Sequence, residues 1–416
     1  MFKFLHASDL HLDSPLIGLE KYEGAPVDQI RGATREALQN LVSLAITEKV
    51  NFVILAGDLY DGDWKDYSTA LFFNSQMSKL HAENIPAYLI AGNHDAASQI
   101  TRFLKSPDNL KVFSTDKPES VFLEHIKVAI HGQGFHTQAV TADLSQAYPV
   151  AIKNYFNIGI LHTSLDGREG HARYAPCAVN GLKAKSFDYW ALGHVHKREV
   201  VSENPWIVFP GNTQGRNMRE TGPKGCTLVE VENSKVKSLE HRDLDVLRWF
   251  ACEIDLTENE NLTDGIEKLK NIIADELAVA AGRLLATRIT IRGSAALHST
   301  FLSDPTYWKS EIRAGITDAS QGSVWIEQVI FKQRAKSDPK RSPKEYGSQE
   351  IFLSAAADIF KDGRLIGEVN KEFDELNKKL PADFRENSNL KLEVTEDVFE
   401  EAKQLLVSKL FPGAEP

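Results

Sequence analysis

Five short apolar runs in the first half of the chain each end in a residue able to hold a metal ion or carry a proton. Phe2–Ala7 runs into Ser8-Asp9-Leu10-His11, and Phe52–Ala56 into Gly57-Asp58-Leu59-Tyr60-Asp61. Ala87–Ala91 leads to Gly92-Asn93-His94-Asp95, Asn157–Leu161 to His162, and Tyr189–Leu192 to Gly193-His194-Val195-His196. Runs this short and this apolar predict strands buried on both faces. Parallel strands share one carboxyl edge, and sites in α/β proteins are built along it. The pattern therefore constrains the chain to a fold that collects acids (Asp9, Asp58, Asp61), an amide (Asn93) and imidazoles (His11, His94, His162, His194, His196) on one rim. The glycines before Asp58, Asn93 and His194 predict sharp turns at the strand ends.

Helical spacing separates these strands. Ile30, Ala33, Ala37, Leu38, Leu41 and Ala45 predict a helix over about residues 28–49, and a second is expected over 67–83. Further strands are expected at Val121–Leu123, Val128–Ile130, Trp206–Phe209 and Thr227–Val231. So many strands with so few helices predict an α/β fold of two packed sheets with helices outside. From Trp249 the order strand, helix, strand, helix, strand predicts a smaller α+β module. The expected organisation is a first domain over 1–245, the α+β module over 246–332, a basic linker over 333–346 and a helical region over 347–416. That last region is expected to form helices at about 349–360, 365–380 and 395–410.

Metal chemistry follows from the donor types. Hard oxygens mixed with imidazole nitrogens, without thiolate, suit manganese, iron or zinc better than calcium or magnesium. Seven donors with one shared carboxylate would serve two ions. Two ions about 3.5–4 Å apart clamp an attacking hydroxide and neutralise a phosphoryl group.

In order and spacing, Asp9-x-His11, Gly57-Asp58-x-x-Asp61, Gly92-Asn93-His94-Asp95, His162 and Gly193-His194-x-His196 resemble the motifs of calcineurin-like metallophosphoesterases. The longer runs Ser8–Pro15, Gly57–Asp61 and Ala191–His196 resemble the SbcD-type DNA exonuclease subunit, and most nearly the YhaO group of DNA repair exonucleases. The likeness is clear from Met1 to about Leu239 and fainter beyond. It implies an αββα sandwich, a capping domain in the α+β module and a C-terminal partner-binding region. It implies that Asp9, His11 and His196 hold one ion, that Asn93, His162 and His194 hold the other, and that Asp58 bridges them. His94 would stabilise the transition state and protonate the leaving oxygen, with Asp61 orienting it. The implied activity is a two-metal, manganese-dependent DNA exonuclease, extending to endonuclease action on single strands. Metal-bound hydroxide would attack the phosphodiester. The implied partners are DNA, an SbcC-like SMC-type ATPase docked on the C-terminal helices, and a second copy of the chain. Arg168, His171, Arg173 and Tyr174, just after His162, are candidate substrate contacts, with a plain surface loop as the alternative.

The net charge of −10 means that DNA must be held by local basic groups, metal ions or a partner. Hydrophobic residues at 42% and charged residues at 25%, with no apolar stretch of spanning length, predict a soluble cytoplasmic protein without membrane association. The three cysteines give no disulfide framework. No phosphate-binding G-x-x-x-x-G-K-[ST] loop and no G-x-S-x-G elbow occurs. Two other functions share these residues: a phosphomonoesterase or small phosphodiesterase, and a non-enzymatic scaffold for DNA ends or partners. Protein phosphatases of this family carry an arginine soon after the second and third motifs. Here Gly62 and Ala96 follow Asp61 and Asp95, which argues against a phosphoprotein substrate.

Overall fold

Alternation along the first strand sorts the fold into layers. In β1 (Phe2–Ala7) the rings of Phe2 and Phe4 join one apolar cluster while Leu5 and Ala7 join another. β2 (Phe52–Leu55) does the same, Phe52 and Ile54 on one face and Val53 and Leu55 on the other. Both faces are therefore covered, as the apolar runs require. The computed structural model describes residues 1–14, 24–61, 67–97, 107–165, 174–257, 261–333 and 363–379, with isolated positions at 355, 358, 398, 399, 402 and 406.

After β1 come α1 (Val27–Thr47), β2, α2 (Tyr67–Ala82), β3 (Ala87–Leu89), α3 (Asn93–Ala97) and β4 (Leu110–Val112). The second half of the sandwich supplies β5 (Glu119–Leu123), β6 (Val128–Gly132), β7 (Phe156–His162), α4 (Val179–Ala184), β8 (Tyr189–Gly193), β9 (Glu199–Glu203) and β10 (Trp206–Phe209). β11 (Gly225–Glu232) and β12 (Lys235–Asp243) return to the first sheet, whose order is β12-β11-β1-β2-β3-β4. The second sheet runs β5-β6-β7-β8-β10-β9. β1, β2, β3 and β4 are mutually parallel, as are β6, β7, β8 and β10. The carboxyl ends of all five predicted strands thus lie at ends of parallel ladders, three in one sheet and two in the other.

Aromatic rings fill the space between the sheets. Phe4 and Phe52 stack at 5.0 Å, and Tyr189 of the opposite sheet meets Phe4 edge-on at 5.3 Å. The outer face of the first sheet is covered by α1 and α2, through Leu38, Leu41, Val42, Phe73 and Met77. α1 ends in a Schellman pattern, with Val50 N–H on Ala45 O (3.1 Å) and Lys49 at φ 52°, where glycine is usual. On the second sheet the outer cluster includes Leu182 of α4, whose carbonyl accepts the Trp190 indole N–H at 3.2 Å. This is the expected sandwich with helices outside.

The α+β module contains β13 (Leu247–Leu256), α5 (Leu262–Ala280), β14 (Leu284–Gly293), α6 (Ala295–Ser303), α7 (Pro305–Ala319) and β15 (Val324–Gln333). Its sheet order is β13-β14-β15. α6 is an addition to the expected elements; the Ser294 hydroxyl caps it by accepting the Leu297 N–H. α8 (Gly363–Lys379) lies in the expected C-terminal helical region. Of the helices expected at 349–360 and 395–410, only isolated helical positions are described, and residues 334–346 of the expected linker lie outside the described residues. The chain forms two compact units: 1–251 with 274–288 and 320–328, and 252–273 with 289–319 and 329–416. Among the described residues no helix is long and apolar enough to cross a membrane.

Candidate metal centre

The segments leaving β1 and β2 continue side by side beyond the strands. Asp9 N–H donates to Gly57 O (3.0 Å), His11 N–H to Asp58 O (3.0 Å) and Leu12 N–H to Leu59 O (2.9 Å). Asp9, His11 and Asp58 sit at positive φ (53°, 44° and 52°), and His194 at 103°. Such conformations cost about 1–3 kcal/mol each and persist only where surroundings over-determine them. Here the hydrogen bonds do so, including His194 N–H to both oxygens of Asp9 at 3.2 and 3.1 Å. Asp95 pins the next segment: its carboxylate accepts from the N–H groups of Leu59, Tyr60 and Gly92.

Spacing also depends on absent side chains. Of the three glycines, only Gly57 makes a left-handed turn, at φ 94°. Gly92 and Gly193 serve close approach. A Cβ on Gly92 would lie 2.2 Å from Asp58 Oδ1, and one on Gly193 would lie 1.9 Å from Ala56 O.

The predicted residues converge. Asp9, His11 and His196 form one group whose donor atoms lie within 4.8 Å of one another, and Asp58, His162 and His194 form a second. His11 Nε2 is 3.2 Å from His196 Nε2, and His196 Nε2 is 3.7 Å from Asp9 Oδ1. Asp58 Oδ2 lies 3.4 Å from His162 Nε2 and 3.9 Å from His11 Nε2, so one carboxylate oxygen faces both groups. Asn93 Oδ1 is 3.0 Å from His162 Nε2. His94 also falls within reach of His11 and Asp58, yet its Nδ1 lies 2.9 Å from Asp61 Oδ1.

Donor chemistry tests whether cations fit. His162 Nδ1 is 3.0 Å from Ala56 O, which can only accept, so Nδ1 carries the proton. In the neutral ring Nε2 is then a lone pair, and it faces the oxygens of Asn93 and Asp58. Three acceptors converge there, and a positive charge between them relieves all three. A proton is one solution. Burial would depress the His162 imidazole, but Asp58 and Asp9 outweigh it and lift the pKa to about 9. A divalent cation is the other solution. His11 behaves differently: burial, then the Arg216 charge, push it down to about 4, so its ring is neutral and donor-ready. Its buried Nδ1 faces Asp61 Oδ1 at 3.6 Å, which leaves Nε2 toward the cation-holding group. Burial opposes charge on Asp58 as well, but the neighbouring His162, His11 and His94 hold its carboxyl well below the usual range. The residues therefore fit cations, with oxygen and imidazole donors and no thiolate.

His94 is the most open imidazole of the site, its side chain 34% exposed against 22% for His196. Burial would lower its pKa; the Asp61 hydrogen bond and the charges of Asp58 and Asp61 raise it instead. Asp61 accepts from Ser14 Oγ through its other oxygen (2.5 Å) and lies 3.6 Å from Arg216 Nη1.

Two of these neighbours lie outside the predicted set. Glu220 Oε1 accepts the His196 Nδ1 proton at 2.7 Å, and Arg216 spans Glu220 and Asp61. The signal that points to them is the same strand-end rule: β10 is a buried run parallel to β8, and a polar stretch from Asn212 to Glu220 follows it. Of the expected substrate contacts, Tyr174 lies edge-on to His194 at 5.7 Å. Arg168, His171 and Arg173 lie outside the described residues. Asp13 accepts a bidentate pair from Arg35 (2.8 and 2.5 Å) and the Thr69 hydroxyl, a structural tie between α1 and α2.

Residues 2–198 match the calcineurin-like phosphoesterase family, and the chain belongs to it. Residues 249–334 match the middle domain of metallophosphoesterase YhaO. The chain is 35% identical over 296 residues to the uncharacterized metallophosphoesterase YhaO of Bacillus subtilis, covering 70% of this chain and 72% of that one. It is 25% identical to the DNA double-strand break repair protein Mre11 of Sulfurisphaera tokodaii (64% and 68% covered). It is 24% identical to a subunit of the nuclease SbcCD from Staphylococcus saprophyticus (56% and 67% covered).

Proposed function

We propose that the chain is a metal-dependent phosphodiesterase that cleaves DNA as an exonuclease. The observation that carries this reading is a partly exposed His94, held by Asp61 at 2.9 Å, beside two adjoining sets of acids and imidazoles. Family membership supports hydrolysis of a phosphoester; the names of the more distant relatives support DNA as the substrate. Divalent cations bound there, with manganese the expected ion, would neutralise phosphoryl charge and acidify a water for attack. Asp9, His11 and His196 would hold one, Asn93, His162 and His194 the other, with Asp58 between them. His94, its Nδ1 committed to Asp61, keeps Nε2 for delivering a proton to the departing oxygen. The reading extends to a DNA repair role beside an SMC-like ATPase, with the amphipathic α8 in the docking region, and to a homodimer.

The test is incubation of the purified chain with labelled single- and double-stranded oligonucleotides and Mn²⁺. Cleavage that disappears on chelation and in His94→Ala is expected. Absence of cleavage, or cleavage indifferent to His94→Ala, overturns the reading. A phosphomonoester substrate is the second reading, and one observation favours it. Arg216 brings to Asp61 a guanidinium that the sequence after the second and third motifs lacks. Turnover of p-nitrophenyl phosphate well above that of its bis ester and of DNA would establish it.

A further inference from the structure

Between the cation-holding groups and His94 runs a chain of charge contacts that the matched phosphoesterase region, ending at residue 198, does not span. It reads His196, Glu220, Arg216, Asp61, His94. Glu220 Oε1 is 2.7 Å from His196 Nδ1 and 3.3 Å from Arg216 Nη2; Glu220 Oε2 accepts the Arg216 backbone N–H at 2.7 Å and the Asn212 amide at 2.9 Å. Arg216 Nη1 lies 3.4 Å from Ser14 Oγ and 3.6 Å from Asp61 Oδ2. Asp61 Oδ1 in turn is 2.9 Å from His94 Nδ1. One guanidinium thus stands between two carboxylates, and each carboxylate holds the Nδ1 of a different imidazole.

We propose that Glu220 and Arg216 are positioning residues: Glu220 fixes His196 with Nε2 toward the cation-holding group, and Arg216 ties that carboxylate to the one that aims His94. A carboxylate on Nδ1 settles which imidazole nitrogen carries the proton, leaving the Nε2 lone pair for a cation. The guanidinium is planar and presents its donors in a rigid fork, so it can span two carboxylates at a fixed separation where an ammonium cannot. The backbone of the segment is held as well, since Lys224 Nζ donates to His196 O at 3.1 Å. Metal affinity and leaving-group assistance are coupled through this bridge, so damage to either end is felt at the other.

The inference rests on the metal-dependent phosphoesterase reading, and the experiment separates the two. The full chain, stripped of metal by chelator, is titrated with MnCl₂ by calorimetry, and its kinetics on bis-p-nitrophenyl phosphate are measured. Glu220→Gln is expected to weaken Mn²⁺ binding about 10–100-fold while the metal-free melting temperature stays close to that of the wild type. Arg216→Lys is expected to lower kcat about tenfold with KM nearly unchanged, because the charge remains and the fork is lost. The double variant should lose less than the product of the two single losses, since both act on one bridge. If Glu220→Gln does not fold, Glu220→Asp, one methylene short of Nδ1, must weaken Mn²⁺ binding instead. Wild-type Mn²⁺ affinity in the folded Glu220 variant overturns the proposal. So does a KM rise with unchanged kcat in Arg216→Lys, which makes Arg216 a substrate contact, and so do losses that simply multiply. A wild-type chain that binds no Mn²⁺ overturns the phosphoesterase reading itself.

Discussion

Asp61 sets Oδ1 against His94 Nδ1 at 2.9 Å and His11 Nδ1 at 3.6 Å, and Oδ2 against Ser14 and Arg216. Asp61→Asn keeps the shape and removes the charge. The expected result is a kcat on bis-p-nitrophenyl phosphate reduced about 10–100-fold, against about 10²–10⁴-fold for His94→Ala, the usual range of general acid catalysis. By calorimetry, Mn²⁺ affinity should fall in Asp61→Asn, whose carboxylate also faces His11 Nδ1 and joins the Arg216 bridge, and should barely move in His94→Ala; a large loss in His94→Ala would place it among the cation holders. A second residue gives a pH dependence away from the donors. His6 is fully buried, with Nδ1 3.0 Å from the Tyr189 hydroxyl and Nε2 3.1 Å from Leu192 O. Burial dominates and pushes its pKa down to about 3, despite the Leu192 carbonyl and the Asp9 charge. The folded value lies below the unfolded 6.5, so the unfolded chain binds the proton first as pH falls. His6 stabilises fully above pH 6.5, and that contribution declines toward pH 3 by about 1.4 kcal/mol per pH unit. Urea unfolding at pH 7, 6 and 5, in chelator, should show a shallower decline in His6→Asn than in the wild type; parallel curves refute the assignment. At this scale the motif residues were legible because each ends an apolar run. His6 lies inside such a run, and its ring is held by a hydroxyl 183 positions away that no local pattern announces.

Strand ends from different sheets meet at this centre through atoms that are missing. Gly193 closes β8 beside His162 of β7, and the Ala56 carbonyl after β2 approaches from the first sheet. A Cβ on Gly193 would meet that backbone oxygen at 1.9 Å and His162 Nδ1 at 2.9 Å, and backbone cannot rotate away. Gly193→Ala should therefore cost about 1–3 kcal/mol of stability by overpacking, and should weaken Mn²⁺ binding by disturbing the His162–Ala56 hydrogen bond. Gly181, inside α4 with nothing within 4 Å of its would-be Cβ, is the control; Gly181→Ala should stabilise by about 0.4–1 kcal/mol. Chemical denaturation of both variants checks the pair, and equal effects would contradict it. The interior strands were legible because burial on both faces leaves a continuous apolar run. β9 (Glu199–Glu203) and β12 (Lys235–Asp243) were not, because each is an edge strand that mixes half-buried and exposed positions and so carries no such run.

For the molecule as a whole, a chain of net charge −10 buries Asp9 and Asp58 at 1% exposure within reach of each other's histidines. Without cations these groups share protons, as the raised His162 shows. With them, the same residues become ligands that link β1, β2, β3, β7 and β8, none of which is a neighbour of all the others in either sheet. A ligand that binds only the folded state stabilises it by about 2.7 kcal/mol at a hundred times its Kd. Mn²⁺ at that excess should thus raise the melting temperature by several degrees, since about 1 kcal/mol moves the midpoint of a domain of 150–250 residues by about 2–4 °C. The shift should exceed that given by Ca²⁺ at equal concentration, because calcium prefers all-oxygen shells while these groups are rich in imidazole. Asn93→Ala and His196→Ala, each removing one donor from a different group, should lose part of the Mn²⁺ shift and keep whatever Ca²⁺ gives through diffuse charge neutralisation. Scanning fluorimetry with chelator, Mn²⁺ and Ca²⁺ on the three proteins decides it. Equal shifts for both ions, or full Mn²⁺ shifts in both variants, would mean that the cations act on the acidic surface and not between the sheets.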